Sequence, residues 1–371
     1  MENVTDYRYD PDYYEAYPTG IEECEGASIP QAEVLLAAVY CVIFATGFLG
    51  NGLLVSSMGL KCRLKRQVDV FIWNLALADL VFLVTLPLWV DAEAGGKRWR
   101  SGLFLCRLSG YAVAVNAYSS VLFLSCMSLD RYLAIVYPLQ SRRLRSRAYA
   151  TLACLSVWVT SLLLGLPVLR NRVLHIREEG SYCGEDPALV SPGVSLAYLL
   201  FTFLLPMLII LICYCSITRK LCLQYRRSKR QDVKLRKSLR VVFMVVLVFL
   251  VSWLPFNVFR CLALIHRWGA SLESCGFQTV VGLGQEASAP LAFANSCVNP
   301  FIYWMCDSSI RKALLRLLLP CLKPFHLSRL STASESHPSR SSSVTTDHSN
   351  QRARSPPSVV QLATWATHVE P

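Results

Sequence analysis

Residues 235–266 read LRKSLRVVFMVVLVFLVSWLPFNVFRCLALIH. Arg236, Lys237 and Arg240 open this stretch, and no further charge occurs until Arg260. At about 1.5 Å per residue, the uncharged part nearly crosses a hydrocarbon layer of roughly 30 Å. The apolar run is continuous and lacks two-residue alternation, so it reads as a helix and not as a barrel strand. Six more runs of this kind lie at 32–60, 68–90, 103–136, 149–169, 194–223 and 278–305. With 53% of its 371 residues hydrophobic and 17% charged, the chain holds more apolar sequence than one soluble core can absorb. The expected fold is an all-α membrane protein, a seven-transmembrane helix bundle. Pro87, Pro167, Pro206, Pro255 and Pro300 fall inside or near the ends of spans, where a membrane bundle tolerates kinks.

Loop charge sets the orientation. Lys61, Arg63, Lys65 and Arg66 occupy the first loop, Arg142, Arg143, Arg145 and Arg147 the third, and Arg226, Arg227, Lys229 and Arg230 the fifth. The positive-inside rule then places the N-terminus outside the plasma membrane and the C-terminus inside. Residues 1–31 form an acidic, Tyr-rich outer segment; the first thirty carry a net −7 against +12 for the whole chain. Asn3-Val4-Thr5 is a glycosylation sequon, usable only on the outside. The start lacks a cleavable signal pattern, so the first span is expected to act as its own insertion signal. The basic residues lie between apolar spans and carry topology, so no nucleic-acid partner is expected. After the bundle (32–306), residues 307–321 hold a short amphipathic juxtamembrane helix 8. Arg311, Lys312 and Arg316 form its polar face and Leu314, Leu315, Leu317 and Leu318 its apolar one. It is expected to lie on membrane lipid, with Cys321 as a lipidation candidate. Residues 322–371, rich in Ser, Thr, Pro and Arg, read as a disordered cytoplasmic tail.

Of the fifteen cysteines, Cys24, Cys106, Cys183 and Cys275 fall on the outer side, where disulfides persist. Four cysteines allow three pairings. Pairing Cys106 with Cys183 would pin the loop between spans four and five over the bundle mouth. Cys24–Cys275 would then tie the N-terminal segment to the last outer loop; free thiols are the alternative. Within the spans, Asp79 stands out, because a buried ionisable residue is costly. Asn51, Asn116, Ser120, Asn295, Ser296 and Asn299 lie at comparable depth. One carboxylate among neutral oxygens suits a small hard cation such as sodium, or simply a hydrogen-bonded glue between helices. Asp130-Arg131-Tyr132 closes span three. The Asp can hold the Arg in reserve for a partner, or the Arg can be ordinary flanking charge.

Taken together these residues resemble the rhodopsin-like class of G-protein-coupled receptors. The likeness rests on Gly50-Asn51, Leu75-Ala76-Leu77-Ala78-Asp79, Asp130-Arg131-Tyr132, Trp158, Pro206 with Tyr214, Phe249 with Ser252-Trp253-Leu254-Pro255, and Asn299-Pro300-Phe301-Ile302-Tyr303. It covers about residues 32–320, and all seven motifs fall in order. Thr85-Leu86-Pro87 followed by Trp89 is similar to the chemokine, angiotensin and apelin branch. The resemblance implies a sodium pocket of Asp79, Asn116, Ser120, Asn295 and Asn299. It implies that Arg131 turns toward a heterotrimeric G protein of the inhibitory class, with Tyr214 and Tyr303 swinging in beneath it. Pro206, Val121 and Phe249 would connect the ligand pocket to the core, and Trp253 would be the pivot. Ala289 departs from a Glu common in chemokine receptors, and Glu286 lies three residues earlier, close to the same face. Val113 and Phe293 stand where amine receptors and opsins carry Asp and Lys, which excludes monoamine and light sensing.

The acidic head suggests a basic extracellular peptide or chemokine-like ligand, met first by sulfatable tyrosines such as Tyr13 and Tyr14. Deeper candidates are Arg172 and Arg260 for a carboxylate, Glu286 for a basic group, and Trp89 and Tyr111 for aromatic contact. Opening of span six about Pro255 would expose an inner cleft for the G protein. Receptor kinases would phosphorylate the tail, notably 341–346, and arrestin would read it. A leukocyte-homing role follows from the branch. The main rival is a non-signalling scavenger of the same fold. A transporter would need a polar path through the membrane. An enzyme would need a metal-ligand helix pair, paired carboxylates or a Ser–His couple at one depth, and none is seen.

Overall fold

The computed structural model describes residues 32–59, 66–139, 141, 146–178, 180–186, 189, 192–227, 233–267 and 275–322. The chain divides into two compact units, Met1–Leu322 and Lys323–Pro371, and all described residues belong to the first. The elements are α1 (Ala32–Gly59), α2 (Gln67–Leu83), α3 (Leu86–Ala94), α4 (Gly102–Val136), α5 (Arg147–Asn171), β1 (Arg172–Arg177), β2 (Gly180–Glu185), α6 (Pro192–Leu199), α7 (Leu205–Arg227), α8 (Val233–Arg267), α9 (Cys275–Cys306) and α10 (Ser308–Leu322). A π-helical turn, Leu200–Leu204, joins α6 to α7. These make the seven spans: α2 with α3 is the second, and α6, the π turn and α7 are the fifth. The tail-side helix α10 ends at Leu322, one residue past the expected end at 321. The outer loop adds an antiparallel β1–β2 hairpin, with Leu174 opposite Cys183, which the apolar pattern did not announce.

The second span breaks at Val84–Thr85 for a chemical reason. Pro87 has no N–H for the carbonyl one turn earlier. Just before it, the Thr85 hydroxyl and N–H both donate to the Phe82 carbonyl, at 2.7 and 2.9 Å. Pro300 raises the same difficulty in α9 by stripping the Ser296 carbonyl of its helical donor. Asn51 on α1 supplies the replacement, its Nδ2 donating to that carbonyl at 2.7 Å. Gly50 is needed beside it, since a Cβ there would meet the Pro300 ring at 3.1 Å. Small residues of this kind let membrane helices approach closely.

Among the described residues, six helices are long and apolar enough to cross a membrane on length and composition alone. The seventh, α9, is 32 residues long but is diluted by polar side chains. Ser288, Asn295, Ser296 and Asn299 among them are buried inside the bundle, so its polarity marks an inward face. The fourth helix, α4, packs against α2, α5, α7 and α8, and is the most buried span. The lipid-facing flank of α5 leaves Leu152, Leu155, Leu163 and Leu166 exposed, as a bilayer requires. Trp158 on α5 turns inward, donating from Nε1 to Asn74 Oδ1 at 3.0 Å.

Candidate functional site

At mid-depth, Asp79 is fully buried on α2. Asn116 Nδ2 from α4 donates to its Oδ1 at 2.9 Å, and Asn299 Nδ2 from α9 to its Oδ2 at 3.1 Å. Ser296 donates to Asn116 Oδ1 at 3.2 Å and so closes the ring. Every partner of the carboxylate in this ring is uncharged. Four further buried oxygens, Ser120 Oγ, Asn295 Oδ1, Asn299 Oδ1 and the Tyr303 hydroxyl, have no hydrogen-bond partner among the described residues. Buried polar atoms left unpaired cost free energy, so their clustering on inward faces calls for a ligand or water. The structure therefore brings polar residues of α4 and α9 to one buried carboxylate on α2.

Toward the inner face, Arg131 Nη2 donates to Asp130 Oδ2 at 2.5 Å, and both side chains are buried. Adjacent residues on a helix do not normally face each other. The short contact shows the Arg folded back on its neighbour. Tyr132 packs its ring edge-on to Tyr137 at 5.8 Å. Tyr214 on α7 meets Phe243 on α8 at 5.9 Å. Above them, Phe249 and Trp253 stack on α8 at 6.0 Å, with Val121 and Pro206 buried in the same core. Beside Pro255, the Asn257 side chain donates to the Trp253 carbonyl at 2.9 Å, giving the kinked turn an added tie.

A small cavity of about 30 Å³ opens above this aromatic floor, lined by Tyr118, Tyr198, Phe249, Trp253, Asn257 and Arg260 among others. On one side Arg260 lies over the Tyr198 ring at 4.7 Å, with Glu185 of β2 at 3.9 Å. Arg172, the first residue of β1, runs inward. Its guanidinium lies 5.2 Å from the centre of the Trp89 ring, and Nη1 is 3.4 Å from Cys183 Sγ. A Cβ at Gly110 would collide with this side chain, so glycine makes room for it. Burial pulls the Arg172 pKa below its usual value and Arg260 adds to that, while Glu185 opposes it. Across the mouth, Glu286 on α9 is held by Lys97 at 2.6 Å. Lys97 is a non-glycine residue with φ of 61°. Trp89 joins both sides through Trp99 at 5.5 Å and Phe293 at 6.5 Å.

Of the five expected pocket residues, Arg260 lines the small cavity, while Trp89 meets Arg172 and Glu286 meets Lys97. Tyr111 packs its ring on α5 at Gly165 and donates its hydroxyl to the Leu162 carbonyl at 3.0 Å. Cys106–Cys183 is a disulfide with Cα atoms 5.7 Å apart, fastening the hairpin to α4. Asn3, Tyr13, Tyr14 and Cys24, with its proposed bond to Cys275, lie outside the described residues, and so does the tail. Cys321 ends in the last turn of α10. Sequence reading missed the two loop-borne partners, Lys97 and Glu185. Their signal was weak: the first base of the run Lys97-Arg98-Trp99-Arg100 after Gly95-Gly96, and an acid two residues after a cysteine.

The family model for the 7 transmembrane receptor (rhodopsin family) matches residues 50–303. Similar proteins include mouse G-protein coupled receptor 15, 44% identical over 82% of this chain and 84% of its own length. Mouse probable G-protein coupled receptor 25 is 38% identical over 93% of each chain. Zebrafish apelin receptor A is 36% identical over 86% of this chain and 91% of its own length. Breadth of match and identity agree with the buried Asp79 ring, the folded-back Arg131 and the disulfide-pinned mouth: the chain belongs to the rhodopsin family of seven-transmembrane receptors.

Proposed function

We propose that this receptor binds an extracellular basic peptide or chemokine-like protein and signals through a heterotrimeric G protein of the inhibitory class. The observation that carries this reading is the charge-divided mouth. Arg172 and Arg260 supply one pole and Glu286 the other, above a floor of Phe249 and Trp253. A peptide end carrying a carboxylate and a basic group matches both poles. The acidic tyrosine-rich head, with Tyr13 and Tyr14 as sulfation candidates, would raise encounter rates with a basic partner. One relative's name states a peptide, apelin. Binding that favours an open inner face would shift α8 about Pro255 and free Arg131 from Asp130. Arrestin and receptor kinases would act on the Ser/Thr tail, and the cellular role would be chemoattraction of leukocytes. In this reading the N-terminus, glycosylated at Asn3, is extracellular, and Cys321 carries a lipid.

Asp79, Asn116, Ser120, Asn295 and Asn299 fit a sodium ion as an allosteric ligand. The carboxylate supplies the charge, and Ser120, Asn295 and Asn299 each offer an unpaired oxygen. A bound cation would stabilise the resting arrangement of α2, α4 and α9.

The test is a panel of basic secreted peptides on cells expressing the chain, read by cyclic AMP. A ligand should lower cyclic AMP, and Arg131→Ala should remove at least about tenfold of that response. A response that survives Arg131→Ala would overturn the assignment of Arg131. Peptide uptake with no cyclic AMP change would favour the scavenger reading.

A further inference from the structure

Arg66 precedes α2 and is held there from several directions. Its backbone N–H donates to Asp69 Oδ2 at 3.0 Å, its Nε to Asp69 Oδ1 at 2.9 Å, and its Nη2 to the same oxygen at 2.5 Å. The Asp69 N–H returns a bond to the Arg66 carbonyl at 3.1 Å. The guanidinium is therefore fixed to the start of α2 before it meets anything distant, and little rotamer entropy remains to be lost on a second contact. That second contact exists: the same Nη2 reaches Asp307 Oδ2 at 2.8 Å, across 241 positions of sequence.

Asp307 occupies the joint between α9 and α10. Its Oδ1 accepts the Ser309 N–H at 2.8 Å and the Ile310 N–H at 3.3 Å, capping α10. Its own N–H donates to the Tyr303 carbonyl at 2.9 Å, so it rides on the last turn of α9. Asp69 and Asp307 are both buried, while Arg66 is partly exposed. One arginine thus neutralises two inner-face carboxylates from different helices. Removing it would leave both without that cation in a poorly solvated place. Tyr303, one turn above Asp307, is buried, and its hydroxyl has no hydrogen-bond partner. Any displacement of Tyr303 that carries its turn along must stretch the contact to Arg66.

We propose that Arg66 is a positioning residue that holds the inner end of α9 in its resting place through Asp307, and so restrains ligand-independent signalling. This rests on the signalling reading above and adds a regulatory contact to it. The ligand-binding and G-protein-contacting groups are not involved; the clasp acts on them through α9.

The experiment uses the full chain in cells. Agonist-independent recruitment of engineered G-protein mimetics, one for each class, is measured at matched surface expression. Arg66→Ala removes the cation. Asp307→Asn removes the charge but keeps the cap, because Asn caps helices as well as Asp. Each should raise basal recruitment by about fivefold, the low end of conformational coupling, and the double variant should go no higher than the larger single. Basal recruitment equal to the parent in both single variants, or additive effects in the double, would overturn the proposal. If neither parent nor variants recruit any mimetic even with the peptide panel present, the signalling reading fails on its own account. Amide exchange across residues 303–311 in the purified receptor then decides the clasp. Faster exchange in Asp307→Asn upholds it, and unchanged exchange removes it.

Discussion

The core around Asp79 and the mouth around Arg172 and Glu286 solve the same problem in opposite ways. In the core, a fully buried carboxylate is met by amide and hydroxyl groups from other helices, each fixed on a rigid span. At the mouth, full charges are met by opposite charges carried on loops: Lys97 for Glu286 and Glu185 for Arg260. The mouth pairs are also partly exposed, Lys97 and Glu286 at 45% and 33%. Water and salt screen such pairs, while nothing screens the core. The difference teaches where each kind of information resides. A network of neutral partners around one charge is costly to alter and suits a switch. Loosely held ion pairs exchange partners readily and suit recognition.

Substitutions can break this contrast, and the largest expected effect is on the mouth's covalent tie. Replacing Cys106 and Cys183 together by Ser opens a loop of 77 residues and should cost about 4 kcal/mol in thermal or denaturant unfolding of the purified receptor. Hydrogen exchange should rise across the β1–β2 hairpin and stay unchanged around Asp79; exchange rising equally in both would show one cooperative unit. Next, Asp79→Ala leaves the Asn116 and Asn299 amides without their acceptor. A loss of about 3 kcal/mol is expected, with Asp79→Asn costing less because one acceptor oxygen is kept. Equal losses for Ala and Asn would mean that charge, not hydrogen bonding, dominates there.

A smaller effect is expected at Asn51. Changing it to Ala removes the donor that replaces the one lost at Pro300, for about 1–2 kcal/mol. Smallest is the ion pair of the mouth. A double-mutant cycle on Lys97→Ala and Glu286→Ala should give a coupling under about 1 kcal/mol that shrinks with added salt. A coupling several times larger, indifferent to salt, would erase the distinction between the two regions.

Much of the core is legible in the sequence. A charge within an apolar run has few roles, and Asp79, Asn116, Ser296 and Asn299 meet as their depths suggest. The spans were equally plain, because lipid demands long uncharged runs. The breaks inside them were less so. Pro87 sits within the second run, but where the helix parts, at Val84–Thr85, depends on the Thr85 hydroxyl and N–H both turning to the Phe82 carbonyl. The mouth was half legible. Arg172, Arg260 and Glu286 could be named from charge and position, yet their partners come from loops, whose placement no periodicity encodes. Depth alone does not give the rotation of Tyr111, whose hydroxyl meets the Leu162 carbonyl on α5. The Arg66 clasp lay in view as an acid three residues after a base at a helix start, but its distant partner Asp307 required the fold.

In the proposed function the Asp79 core acts as a cation-sensitive switch between mouth and inner face. Unfolding temperatures of the purified receptor in sodium chloride and in choline chloride, at equal ionic strength, test it directly. Sodium alone should stabilise the parent protein, by about 1.4 kcal/mol at ten times its dissociation constant, and should do nothing for Asp79→Asn. Equal curves in the two salts, or a sodium effect that persists in Asp79→Asn, would contradict the account.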